Sequence, residues 1–245
     1  MKERPIMFGP EMVRAILSNA KTQTRRLAKP PKGTGFVWLT TRDSDVLTTY
    51  NCVKDATPNS RSLGEVRCRY GKVGDQLWVK EVLVRDEHQN WIYAADGAPI
   101  PVLPEQEYTN WIEKKAKNKV IEAMHMPHVF SRIQLEITAI WCEPLQNITQ
   151  HDAFAEGMHA LSQETTGKLF PEYAEQLKQF TLATEAYKKE HGSWELGKPP
   201  MPKPPIGPRA RIRFQRFWNS LHTKHGVTWD ANPFVWVVEF KRVNP

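Results

Sequence analysis

The stretch from Phe130 to Trp141 alternates, with Ile133, Leu135, Ile137 and Ala139 set against Arg132, Gln134, Glu136 and Thr138. Successive side chains of a strand point to opposite faces, so this period describes a half-buried antiparallel strand with one wet face. A second such segment, Phe234 to Val243, follows the Asn232-Pro233 turn much later in the chain. A third begins at the Gly74-Asp75 turn, running from Gln76 to Val84, with Trp91-Ile92-Tyr93 as its hairpin partner. Few strands at long spacing, separated by helical segments, do not suit a parallel α/β sheet. They point to an α+β fold built on a small closed or nearly closed β-barrel decorated with helices.

The helical segments carry their own signals. Pro10 suits a first helical position and Glu11 the positive end of a helix dipole. With the apolar stripe Met12, Val13, Ile16 and Leu17, they place a helix between Gly9 and Asn19. Thr149 caps a second helix, Asp152 is its capping-box partner, and Gly157 stops it. Pro171 to Glu190 reads as a longer, more polar helix. Arg211 to Leu221 reads as another, with Phe214, Phe217, Trp218 and Leu221 on one face. Lys29 to Arg69 reads as surface loop with one hairpin, and Lys198 to Pro208, with six prolines, as a stiff connector. No internal repeat divides the chain, so residues 1–245 are expected to form one domain.

The chain carries 34 Lys and Arg against 27 Asp and Glu, a formal charge of +7, which favours anionic partners and nucleic acid first. Cys52, Cys68 and Cys142 are widely spaced and form no zinc-ligand pattern, so no metal or other cofactor is expected and the thiols read as free ones of the cytoplasm. The polar start, Met-Lys-Glu-Arg-Pro, is unlike a signal peptide, and no apolar run approaches the roughly 20 residues of a membrane helix. A cytoplasmic protein with no membrane partner is the expectation. Nothing in the sequence indicates an oligomeric state.

The segment richest in chemistry is Lys21-Thr22-Gln23-Thr24-Arg25-Arg26, directly after the first helix. It reads as an extended or turning connection, since nothing apolar recurs in it at helical spacing. A Thr hydroxyl becomes a nucleophile when a base takes its proton, and a lysine serves as that base when burial or neighbouring cations depress its pKa. Residues three apart lie on opposite faces of a regular strand, so Lys21 and Thr24 converge only if the chain turns between them. The bland alternative is that Lys21, Arg25 and Arg26 hold phosphates while Thr24 satisfies backbone groups. Trp78 is either a stacking platform for a base or a core residue. Glu81 either lines a cleft, pairing with Lys21 or Arg25, or makes an ordinary strand-end ion pair. Arg211, Arg213 and Arg216, beside Phe214 and Phe217, form the strongest basic-aromatic patch.

Four segments, in order, resemble the ASCH family of PUA-like β-barrels, often found in phages and prophages. They are Pro5-Ile6-Met7-Phe8 through Met12-Val13-Arg14-Ala15-Ile16-Leu17 to Lys21–Arg26; Tyr70-Gly71-Lys72-Val73-Gly74-Asp75-Gln76-Leu77-Trp78-Val79-Lys80-Glu81; Leu145 to Thr149 with Asp152-Ala153 and Glu156-Gly157; and Phe217-Trp218 with Trp229 to Pro233 and Val235 to Phe240. Residues of about 32–68 and 160–210 lie outside these segments and read as insertions. The resemblance implies a PUA-like barrel with a cleft beside the first helix that binds RNA, single-stranded DNA or a modified nucleoside. One small branch of the family hydrolyses the amide of N4-acetylcytidine without a metal, using a Lys, a Thr and a Glu that match Lys21, Thr24 and Glu156 here. That branch is far shorter than this chain. A binding module, an amidohydrolase on an acylated cytidine and, more weakly, a ribonuclease are the functions the resemblance leaves open.

Overall fold

The computed structural model describes residues 1–29, 34–36, 46–51, 62–101, 119–191 and 207–243. The main sheet has five strands: β1 (Glu3–Met7), β2 (Gln23–Leu27), β6 (Gln76–Lys80), β10 (Gln134–Pro144) and β11 (Phe234–Val243), in the order β1-β6-β10-β11-β2. β1 runs parallel to β6 and the other neighbours are antiparallel. The architecture is α+β, but among the described residues the sheet does not close into a barrel. Its edge strands, β1 and β2, are joined by α1 (Pro10–Leu17) rather than by a ladder of hydrogen bonds.

β10 and β11 pair along their whole length, with a shift of register between Ile137 and Ala139. Leu135 and Ile137 are buried before this bulge, and Ile140 and Cys142 after it, with Thr138 exposed. An extra residue in one strand reverses the phase of every side chain beyond it. The expected alternation of Ile133, Leu135, Ile137 and Ala139 against their polar neighbours therefore holds through Ala139, and the phase flips between Ala139 and Ile140, which are both buried. The strand also begins later, because His128–Phe130 forms a 3₁₀ turn.

The expected strand Gln76–Val84 is two strands, β6 and β7 (Leu83–Arg85), broken at Glu81 and Val82. β7 pairs with β8 (Trp91–Tyr93) and with β9 (Val120–Ile121). This small sheet covers a separate core of Leu83, Tyr93, Ile121, Met126 and Phe130. The segment Lys29–Arg69, expected as loop with one hairpin, contains a three-stranded antiparallel sheet of β3 (Thr34–Phe36), β4 (Val46–Asn51) and β5 (Ser62–Arg67). Most of the proline-rich stretch Lys198–Pro208 lies outside the described residues.

Among the described residues the helices are α1, α2 (Gln150–Ala155), α3 (Gln163–Leu169), α4 (Pro171–His191) and α5 (Ala210–His222). Pro10 opens α1, and Met12, Val13, Ala15 and Ile16 are its buried face. Thr149 caps α2 in a full capping box with Asp152. The main core gathers Ile6, Val13, Ile16 and Leu77 with Leu135, Ile140, Val237 and Val238, and Phe214 and Trp218 of α5 close it from the side. No helix among the described residues is long and apolar enough to cross a membrane.

Candidate functional site

The site is assembled by two chain reversals. After α1, Asn19 adopts a left-handed conformation (φ 57°), and the amides of Ala20 and Lys21 both donate to Ala15 O at 2.8 and 2.9 Å. This hook drops Lys21 inward before β2 begins. After α2, Gly157 turns the chain at φ +84°. A Cβ there would stand 3.0 Å from Ala15 Cβ and 3.2 Å from Lys21 Cβ, so only glycine lets the end of α2 press against the hook. Lys21 and Glu156 then form an isolated antiparallel bridge, and Thr22 N donates to Ala155 O at 2.8 Å.

Lys21 is 3% exposed and Glu156 3% exposed. Lys21 Nζ donates to Glu156 Oε2 at 2.7 Å, to Gln23 O at 2.8 Å and to Glu156 O at 3.0 Å, which gives each ammonium proton an acceptor. Burial pulls the Lys21 pKa below its usual 10.5, Arg26 and Arg25 add to that, and the Glu156 carboxylate opposes it.

The expected connection Lys21–Arg26 is in large part strand β2, paired with β11. Its residues alternate between two environments. Gln23 and Arg25 enter a buried polar network. The Arg25 side chain is 0% exposed. It meets Glu143 Oε1 through Nη2 at 2.7 Å and Nε at 3.2 Å, and donates to Gln23 Oε1 at 2.6 Å. It also lies 3.4 Å from both Asp152 Oδ2 and Glu156 Oε1. Gln23 Nε2 donates to Glu239 Oε1 at 3.1 Å. Thr24, 4% exposed, lines a cavity, and its hydroxyl has no hydrogen-bond partner among the described residues. Arg26 Nη2 donates to Met7 O at 2.6 Å, so this side chain spans the two edge strands of the sheet.

That cavity, about 270 Å³, opens between α1, β2 and α5. Phe8, Met12, Phe214, Phe217, Trp218 and Leu221 supply apolar wall, while Lys21, Thr24, Arg25 and Glu156 supply polar groups. The Phe8 ring lies beneath two cations, with Arg26 Cζ at 4.9 Å and Lys21 Nζ at 5.7 Å from its centroid. An apolar, aromatic cleft with a few convergent polar groups is the usual build of a small-ligand site.

Five expected site residues, Lys21, Thr24, Arg25, Arg26 and Glu156, thus share one cavity. The others lie elsewhere. Glu81, 1% exposed, is held by Arg132 through two bonds of 3.0 and 2.8 Å rather than by Lys21 or Arg25, and Arg132 also binds Asp96 and covers the Tyr93 ring. Together with burial, the Glu81 charge helps push the Tyr93 hydroxyl up to about 12. Trp78 packs against His128 at 4.8 Å, with Lys80 Nζ over its ring. Arg211 donates to Ile148 O and Gln146 O and stacks on Trp229. Arg213 donates to Pro208 O and Met158 O, and Arg216 to Leu169 O beside an ion pair with Glu172. These three guanidinium groups fasten α5 to its surroundings. Gln23, which lay in the Lys21–Arg26 run without an assigned role, and Glu143, which lay in no motif, complete the network. Their only sequence signal is that a polar strand residue beside a buried arginine needs a partner.

The Asp152 carboxyl is opposed by burial, which alone would raise its pKa, but the Thr149 amide and hydroxyl and the Arg25 charge hold it below 3.8. A folded pKa below the unfolded one contributes stability that is present above the unfolded value and lost as pH falls through the folded one. Asp152→Asn is therefore expected to flatten the acid limb of stability below pH 3.8, read from melts of variant and wild type across that range.

Compared with known proteins, the chain matches no family model, no curated protein and no solved structure. The described residues hold no group of three or more His, Cys, Asp or Glu side chains placed to grip a metal ion.

Proposed function

We propose that the cavity beside α1 binds a nucleobase, presented by RNA, single-stranded DNA or a modified nucleoside, in an ASCH-type cleft of a PUA-like fold. The observation that carries this reading is the cavity itself: aromatic and aliphatic wall around Lys21, Thr24 and Glu156, at the place beside the first helix where the resemblance puts the family's cleft. A flat ring stacks on Phe or Trp faces whatever its identity, and the hydrogen-bonding edge of a base needs both donors and acceptors. The Thr24 hydroxyl can donate and accept and the Glu156 carboxylate can accept, while Lys21, whose three protons are already taken, holds that carboxylate in place. The close approach of β1 and β2, which lets Arg26 reach Met7 O, supports a PUA-like arrangement with its edges left unpaired.

A second reading, metal-independent deacylation of an N4-acylated cytidine, is favoured by one observation: the unpartnered Thr24 hydroxyl shares the cavity with Lys21 and Glu156. In that reaction a neutral Lys21 would take the Thr24 hydroxyl proton as the oxygen attacks the acyl carbon, the proton would pass through Glu156 to the leaving amine, and water would then hydrolyse the acyl-threonine ester to release the acid. Lys21 must be neutral to take that proton. Its three donated hydrogen bonds describe a charged ammonium instead, which supports binding ahead of catalysis.

Calorimetric titration at low salt with the four ribonucleosides, N4-acetylcytidine and short single strands tests the choice. Saturable binding without turnover is expected. No binding by any of these ligands would overturn the proposal. Release of acetate from N4-acetylcytidine by the wild type, lost in Thr24→Val, would move the function to the second reading. Valine keeps the shape of threonine and removes only the hydroxyl.

A further inference from the structure

Resting on the base-binding reading, we infer that the ligand is phosphorylated, and that a second, cation-lined chamber next to the base cavity receives its phosphate. This chamber, about 570 Å³, shares Arg26, Leu27 and His222 with the first cavity, so the two are contiguous. Its further cations are Lys29, Arg67 and Arg69, and His225 stands at its wall. No Asp or Glu among the described residues lines it.

The contrast with the base cavity is chemical. There, Lys21 and Arg25 are each matched by carboxylates, so the polar groups present hydrogen bonds rather than net positive charge. In the neighbouring chamber Arg26, Lys29, Arg67 and Arg69 converge, and no acid lines it among the described residues. A neutral ring suits the first space and an anion the second. Arg and Lys are the side chains that recognise phosphate, Arg through its two-pronged fork and Lys as a point charge.

Arg26 joins the two spaces. Its Nη2 is taken by Met7 O, yet its buried Nε has no hydrogen-bond partner among the described residues. A buried donor without an acceptor is unfavourable, and an oxygen of a ligand spanning both cavities would relieve it. His222 stands at the same junction, and burial, the Arg26 charge and His225 lower its pKa below 6.5, which keeps the imidazole uncharged at neutral pH. The charge that meets the ligand there is that of the guanidinium groups and Lys29. Tyr70 and Trp236 give the chamber aromatic wall, so a sugar or second base attached to the phosphate would find apolar surface as well.

The test is calorimetry at low salt with each nucleoside of the panel above, its 5′-monophosphate and 3′-monophosphate, and a short single-stranded oligonucleotide. The proteins are wild type, Arg69→Gln, Lys29→Gln and Arg67→Gln/Arg69→Gln, with melts as folding control. One of the two monophosphates is expected to bind about tenfold or more tighter than its nucleoside, the effect of one charge-assisted hydrogen bond. In each single variant this ratio is expected to shrink, and in the double variant to shrink further, as the electrostatic basis requires. An oligonucleotide that binds tighter than the preferred monophosphate identifies a chain as the phosphate source; equal affinity identifies a free nucleotide. Equal affinity of nucleoside and both monophosphates would overturn the phosphate chamber while leaving the base cavity standing. So would a phosphate gain that is undiminished in the double variant. No binding of nucleosides, nucleotides or the oligonucleotide would overturn the base-binding reading and this inference with it.

Discussion

Lys21→Met is expected to lower folding stability by about 3–5 kcal/mol, the range for breaking a buried ion pair from one side. The Glu156 carboxylate would be left with only the longer contact to Arg25 Nη1 at 3.4 Å. Glu156→Leu should be similarly harmful, because it leaves an ammonium buried beside two carbonyl oxygens. The double variant should lose less than the sum of the two, since it removes both charges together. Chemical denaturation of the four proteins measures this coupling, and strict additivity would show that the pair carries no shared energy. The result also bears on any functional assay: loss of activity in a Lys21 variant must be separated from loss of fold, and Thr24→Val is the cleaner probe.

Arg25→Leu is expected to be at least as damaging at neutral pH. The guanidinium is the common partner of Glu143, Asp152 and Glu156, and removing it leaves three carboxylates around an apolar side chain. Like charges at short range and low solvation disfavour each other's ionised form, so the carboxyl pKa values of the variant should rise. The sign of the pH dependence follows. The variant should recover part of its lost stability as pH falls and the carboxylates take up protons, while the wild type loses stability over the same range as Asp152 is protonated. Denaturation curves at neutral and acidic pH compare the two. A neutral-pH cost below about 1 kcal/mol, typical of an exposed pair, would contradict the buried network.

The parts of this arrangement that were legible in the sequence are the local ones. Pro10, the stripe of α1, the Thr149–Asp152 capping box and the Gly157 stop all act within a few residues, and each lies where expected. The convergence of Lys21, Thr24 and Glu156 was expected to need a turn between Lys21 and Thr24, but the reversal comes before Lys21, at the left-handed Asn19, and the Lys21–Glu156 bridge then sets Lys21 beside the cavity that Thr24 lines. What could not be read is which distant group a polar side chain meets. Glu81 is fixed by Arg132, 51 positions away, and no period or motif selects that partner over Lys21. Arg211, Arg213 and Arg216 looked like a binding face because composition does not reveal that carbonyls of the α2 approach and of α3 would meet them. The aromatic face of α5 was legible as apolar, but not that Phe217 and Leu221 would wall a cavity while Phe214 and Trp218 also enter the core. The bulge between Ile137 and Ala139 left no mark because Thr138 continues the alternation in sequence and breaks it only in register.

The central claim is that a nucleobase sits in the cavity between α1, β2 and α5. Photo-crosslinking with single-stranded oligonucleotides carrying 5-iodouridine or 5-iodocytidine, followed by mass-spectrometric mapping of the adducts, tests it most directly, because stacked aromatic side chains are the favoured partners of these bases. The account predicts adducts on Phe8, Phe214, Phe217 or Trp218, the Phe and Trp side chains that line the cavity, and their loss when unlabelled ligand competes. Adducts confined to Trp78, or to Trp229 beside Arg211, would contradict it, as would the absence of any adduct at low salt.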